Sequence, residues 1–250
     1  MRIFPDKPQT NAGVKPRPCA STLLLPLVVC TAIAVFALAV PKIIGRSTFW
    51  IFLPGFFTES ILLLCSLALS AWLTRGRLAA FGFTKGTFRL RARFFLWLLP
   101  MLVITTLQVM GSPAGVSPSG PGPGANGSPV AVILTIWIYA SICEEIFTRG
   151  LLLGWLSPLA RHRIRVGNFG LSVPVLASAL FFAAMHVVLW PLLGPVTLLV
   201  MFLACILGLI AGHYREKTGS LIPAILVHAF FDIGGTLPLW ISVWLHRGYI

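Results

Sequence analysis

Long apolar runs make up most of this chain, separated by short polar segments. Seven runs stand out, at 22–40, 49–73, 94–110, 130–156, 173–190, 192–213 and 221–245. About 20 apolar residues carry an α-helix across the hydrocarbon core of a bilayer, so each run predicts a spanning helix. The runs are continuous and not alternating, which argues against a transmembrane β-barrel. Gly234, Gly235 and Pro238 interrupt the last run. It is too short for two full spans and reads as one broken helix. The expected fold is therefore all-α, a polytopic transmembrane helical bundle of seven or eight spans.

Composition agrees with the pattern. Hydrophobic residues make up 57% of the 250 positions and charged residues 10%, where a soluble domain carries about 25% charged residues. The formal net charge of +13 raises the question of nucleic acid, and its distribution answers it. With the N-terminus placed in the cytoplasm, fifteen Lys and Arg fall in the N-terminal arm and in segments 74–93, 157–172 and 214–220. Only Lys42, Arg46 and Arg247 fall on the opposite side. That asymmetry fits the positive-inside rule, the expected location is a bacterial-type inner membrane, and no nucleic-acid partner is called for.

Ala37-Leu38-Ala39 resembles a signal-peptide cleavage site, but the preceding polar region and the apolar core are both long for one, so retention as a first span is expected. The layout is then a cytoplasmic arm over 1–21, three spans over 22–110, a Gly/Pro/Ser linker over 111–129, and a motif-bearing core over 130–250. Segment 74–93 mixes basic and aromatic residues; it either lies along the inner leaflet or serves as a topology determinant alone. Gly150/Gly154 and Gly208/Gly212 are spaced for close helix packing.

The candidate chemistry lies in the few charges inside the spans. Of six acidic residues, Glu144, Glu145 and Asp232 sit in apolar runs, joined by Arg149, His186 and His228. A charge at the bilayer centre costs about 2.5–3.5 kcal/mol on insertion scales, so such groups persist mainly where they pair or act. Glu145 and Arg149 share a helix face at i, i+4, as do His228 and Asp232. Glu144 points about 100° from Glu145 and needs a partner from another helix. Glu59 also lies within an apolar run, and spacing assigns it no partner. The bland alternative is a polar network that only locks helices together. Six ionisable groups on three helices favour a functional pocket instead. The five cysteines are scattered without CxxC or CxxH spacing, so they read as small buried hydrophobes. Cys143, turned away from Glu144 by one helical step, makes a poor nucleophile candidate.

Three segments carry a resemblance. Glu144-Glu145-Ile146-Phe147-Thr148-Arg149, then Phe182-Ala183-Ala184-Met185-His186, then His228-Ala229-Phe230-Phe231-Asp232 resemble the motif set of the CAAX prenyl protease and bacteriocin-processing (CPBP, Abi) family. The resemblance covers roughly residues 130–235 and implies an intramembrane endopeptidase acting on a membrane-associated protein or peptide, prenylated CAAX proteins being the family's eukaryotic substrates. By match to those motifs, Glu144 and His186 activate a water, and His228 with residue 232 stabilises the oxyanion. Glu145, Arg149 and Phe182 shape the site. Asp232 departs from the commoner Asn, and an ionised carboxylate cannot donate to an oxyanion. It must be protonated, orient His228 or bind metal. Glu144, His186, His228 and Asp232 also make a conceivable Zn²⁺ set with an open position, though no HExxH helix compels one. A non-proteolytic immunity or scaffold protein, and a transporter, remain rival readings; no inverted repeat of the motifs supports transport.

Overall fold

The computed structural model describes residues 20–44, 55–111, 130, 133–166 and 169–247. Seven helical segments succeed one another along them. They are α1 Ala20–Ile44, α2 Phe56–Thr74, α3 Leu99–Gly111, α4 over 133–155, α5 Val173–Met185, α6 Val196–Thr218 and α7 Ile222–Arg247. The fold is the all-α membrane bundle that the apolar runs predict. Ser21–Val40, Phe56–Thr74, Val173–Leu193 and Val196–Thr218 are long and apolar enough to cross a membrane, and Phe94–Ile104 and Ile222–Pro238 are shorter apolar stretches. The arm over 1–19 and nearly all of the Gly/Pro/Ser linker fall outside the described residues.

The helices pack as lipid requires. On α1, Leu24, Leu25, Val28, Val35 and Phe36 face outward, while Cys30, Ala34 and Ala37 are buried against Leu62 of α2 and its neighbours. Lipid removes the drive to bury large side chains, so small residues take the interface and let backbones approach. The inner row of α2 is Leu62, Ser66, Ser70 and Thr74. Ser66 Oγ donates to the Leu62 carbonyl at 2.6 Å and Thr74 Oγ1 to that of Ser70 at 2.7 Å. Without water in the hydrocarbon, hydroxyls satisfied by their own helix can be buried there.

Two glycines of α6 let it pack closely on α5. A Cβ at Gly208 of α6 would lie 2.8 Å from Ala179 Cα of α5, and one at Gly212 would lie 3.1 Å from Val175 Cγ1. α5 itself starts cleanly: Ser172 Oγ accepts from Val175 N at 3.3 Å, and Pro174 occupies the first turn, where its missing N–H is not needed.

Three features depart from the sequence reading. α7 is not broken; it runs as one helix to Arg247 with Pro238 inside it. Gly234 serves packing instead: a Cβ there would lie 2.6 Å from the Leu98 carbonyl, where α3 begins. In segment 157–172, read from the sequence only as one of the basic segments between spans, Arg163–Val166 and Phe169–Ser172 pair as an antiparallel hairpin with Arg163 opposite Ser172. The alternation Arg163-Ile164-Arg165-Val166 was the visible signal for it. Arg215, counted among the polar segments, is 7% exposed and donates through Nη2 to the Ala80 carbonyl at 3.1 Å. Together with Leu221 N to Gly82 O at 3.0 Å and Thr87 N to Thr218 O at 3.0 Å, it pins the α2–α3 connection onto the α6–α7 turn.

Candidate active site

Four helices supply the polar cluster, and α4 supplies most of it. Its middle turn, Ser141–Glu145, has ordinary α-helical hydrogen bonding, flanked by wider π-helical turns at Ile133–Ala140 and Ile146–Leu152. Such irregular turns often accompany functional positions in helices. Here they bracket Glu144 and Glu145.

His228 of α7 is the hub. It is 4% exposed, and its two ring nitrogens face different carboxylates. Nδ1 lies 2.9 Å from Glu145 Oε1. Nε2 lies 3.6 Å from Glu144 Oε2 and 3.7 Å from Asp232 Oδ2. Since a carboxylate only accepts, Nδ1 donates to Glu145.

Behind Glu145 stands a sealed ion pair. Arg149 Nη1 donates to the same Glu145 Oε1 at 2.9 Å, and both side chains are fully buried. Arg149 also donates to Thr148 Oγ1, and its guanidinium carbon lies 4.5 Å from the centre of the Phe182 ring, within cation–π range. A Cβ at Gly208 would lie 2.8 Å from Arg149 Nη2, so the glycine that admits α5 also makes room for the guanidinium. The i, i+4 spacing of Glu145 and Arg149 therefore describes a real contact. Glu145 is not only behind the pocket, however, because it also holds the hub histidine.

On the other side the site opens. Glu144 and Asp232 side chains retain 21% and 23% of their exposure. Asp232 Oδ2 accepts from Ser141 Oγ at 3.0 Å, a partner one helical turn before Glu145 that the motifs do not include. His186 sits where α5 tightens into the turn His186–Leu189. Its Nδ1 lies 2.9 Å from the Phe182 carbonyl and so carries the hydrogen, which leaves Nε2 as the acceptor of the neutral ring. Both imidazoles pack edge-on to the Phe182 ring, at 4.9 Å for His186 and 5.5 Å for His228. The structure thus brings Glu144, Asp232 and Glu145 onto His228, and ties His186 to the cluster through Phe182.

Among the described residues, no three His, Cys, Asp or Glu side chains are arranged as a metal-ligand set. Of the conceivable zinc donors Glu144, His186, His228 and Asp232, the two histidines each hold Nδ1 on an acceptor, Glu145 Oε1 and the Phe182 carbonyl, an arrangement that neither requires nor opposes a metal at Nε2.

Glu59 is the residue that spacing left without a partner. α2 packs against the middle turn of α4 and carries Glu59 into electrostatic range of Glu144, His228 and Asp232. Its neighbour Ser60 shares a 2.8 Å hydrogen bond with Tyr139 of α4, and Phe56 stacks on the same tyrosine at 5.0 Å. The signal was present in the sequence as a lone carboxyl in an apolar run, but only the packing of α2 on α4 gives it neighbours.

The cluster thus gathers three carboxylates and two histidines within a helical membrane bundle. Residues 126–234, which span all three motifs, match the protein family described as type II CAAX prenyl endopeptidase, Rce1-like. Over that segment, somewhat less than half of the chain, the protein is similar to this family of CAAX-type membrane endopeptidases. No curated protein and no solved structure matches it.

Proposed function

We propose that the chain is an intramembrane endopeptidase that hydrolyses a peptide bond of a membrane-associated protein or peptide, with CAAX-like prenylated chains as the first class to test, and that Glu144 is its general base. The observation that carries this reading is the division of labour around His228. Glu145 holds one nitrogen from a sealed side, and Glu144 faces the other nitrogen from a side open to an incoming molecule.

The chemistry follows from those positions. Glu144 takes a proton from water while His186, through its unprotonated Nε2, orients that water. The water oxygen bonds to the scissile carbonyl carbon, and the negative charge passes to the carbonyl oxygen. His228 as an imidazolium donates from Nε2 to that oxyanion, held in aim by its Nδ1–H bond to Glu145. Collapse of the intermediate breaks the C–N bond, and Glu144 returns its proton to the leaving amine. Asp232, bonded to Ser141 and facing Nε2, orients the ring; its carboxylate contributes no donor of its own unless protonated. No step needs a metal. We place the enzyme in a bacterial-type inner membrane with a cytoplasmic N-terminus, in accord with the distribution of Lys and Arg.

The test is a comparison of membrane proteomes from cells carrying the chain and its Glu144→Ala variant, followed by cleavage of the enriched candidate and of a farnesylated CAAX peptide by the purified protein. Termini that depend on Glu144 support the reading. Identical proteomes together with no peptide cleavage would favour a scaffold that keeps the pocket only as structure.

A further inference from the structure

We infer that segment 75–91, between α2 and α3, is a fixed cationic shelf that binds the headgroups of anionic phospholipids where α2 and α6 leave the membrane. The sequence allows two roles for this segment, a lipid contact or a topology determinant alone, and its setting in the bundle favours the first. The inference stands apart from the endopeptidase reading, and its test uses no peptide.

The shelf is pinned from beneath. α2 ends at Thr74 and α6 at Thr218, both helices long and apolar enough to cross a membrane. The segment follows directly on the first and packs against the turn after the second. Thr87 N donates to the Thr218 carbonyl and Leu221 N to the Gly82 carbonyl, each at 3.0 Å. Arg215 Nη2 donates to the Ala80 carbonyl at 3.1 Å. A Cβ at Gly86 would run into the Thr218 carbonyl oxygen, so glycine is what lets the two segments touch. Phe81 is buried in one cluster with Leu62 and Phe147, and Phe88 in another with Phe182 and Phe231. A surface fixed in this way loses little freedom when it binds.

The outer face carries the charge. Arg75, Arg77, Lys85, Arg89 and Arg91 are all exposed, and none of them forms an ion pair among the described residues. No Asp or Glu occurs between positions 74 and 93. The nearby hairpin is built differently, since its Arg163 pairs with Glu216 at 2.9 Å. Leu90, between Arg89 and Arg91, is 57% exposed, and Phe95 and Leu96 just beyond are also outward. Cations and outward apolar side chains thus stand together at the span ends, the level at which hydrocarbon gives way to phosphate. Arginine and lysine lay their apolar stems along such a surface and keep their charge in the headgroup layer. That combination recognises an anionic leaflet, and five unpaired cations held close together gain most from it.

Full-length protein is reconstituted in phosphatidylcholine with trace spin-labelled phosphatidylglycerol or phosphatidylcholine, and electron paramagnetic resonance reads the motionally restricted fraction of each label. The wild type restricts more phosphatidylglycerol than phosphatidylcholine, and the excess shrinks as salt screens the charges. Replacing Lys85, Arg89 and Arg91 together by Gln abolishes the excess, whereas Arg89→Lys with Arg91→Lys keeps it. In an equal mixture of the two lipids the wild type also melts higher than in phosphatidylcholine alone, because a ligand of the native state stabilises it; the triple Gln variant shows no such rise. Equal restricted fractions in the wild type overturn the inference and leave the segment a topology determinant alone. An excess undiminished in the folded triple variant overturns it too, by placing the lipid elsewhere. Loss of the excess to inorganic phosphate at matched ionic strength overturns it in favour of a soluble phosphate site. Should the triple variant fail to fold, Arg89→Gln and Arg91→Gln decide singly: each lowers the excess, and no change in either overturns the inference.

Discussion

The two sides of His228 are built from the same residue types and do opposite things. On the sealed side, Glu145 and Arg149 are fully buried and bonded to each other, with Phe182 and Gly208 fitted round the guanidinium. On the open side, Glu144 and Asp232 keep about a fifth of their exposure and contact the ring only at 3.6 and 3.7 Å. Two glutamates adjacent in sequence thus differ in enclosure and in partners. Glu145 Oε1 is shared by a guanidinium and an imidazole on the closed side of the ring, a place poorly suited to taking a proton from water. The looser Glu144 is better placed. On the proposed reading, the sealed side serves stability and the open side the chemistry.

That division can be broken experimentally, and the sealed side gives the largest effect on stability. Arg149→Ala leaves Glu145 enclosed without its cation, a loss on the order of 3–5 kcal/mol for a buried pair. Thermal unfolding in detergent should drop accordingly, with cleavage lost only in proportion to folded protein. Unchanged stability with abolished cleavage would move Arg149 into the chemistry. Gly208→Ala comes next. Its new methyl meets Ala179 backbone and the guanidinium, and overpacking of this kind costs about 1–3 kcal/mol. A melting temperature equal to that of the wild type would mean that α5 and α6 are less tightly apposed than described.

The open side should respond through activity instead. Asp232→Asn keeps the shape and supplies a ready N–H donor where the carboxylate must first be protonated. Cleavage is expected to persist or rise, and to be insensitive to a chelator. Stoichiometric zinc lost together with Asp232 would instead establish a metal site there. The smallest effect is expected from Ser141→Ala, which removes one hydrogen bond to a partly exposed carboxylate, worth about 1 kcal/mol. It should leave unfolding almost unchanged and alter kcat more than KM, since the bond only steadies Asp232.

How much of this could be read from the chain itself varies with the kind of signal. Spans were legible because hydrophobicity in lipid is a one-dimensional property: each of the seven apolar runs has its helical segment. The Glu145–Arg149 pair was legible because helical spacing alone brings i and i+4 together. The partners of Glu144 and Glu59 were not, since they come from other helices, and which helix faces which is decided by small-residue packing. Ser141 carries no motif and its hydroxyl is commonplace in a span. The continuity of α7 was misread because Gly234 and Pro238 suggest a break by local preference. In the bundle, the glycine is occupied by the close approach of α3.

The most direct test is one substitution with two readouts on one preparation. Glu144→Gln preserves shape and removes the base, so the account predicts a loss of cleavage of about 10²–10⁴-fold at an unchanged unfolding temperature. A Glu144→Gln protein that still cleaves, or that loses activity only because it unfolds, would contradict the assignment of the chemistry to the open side of His228.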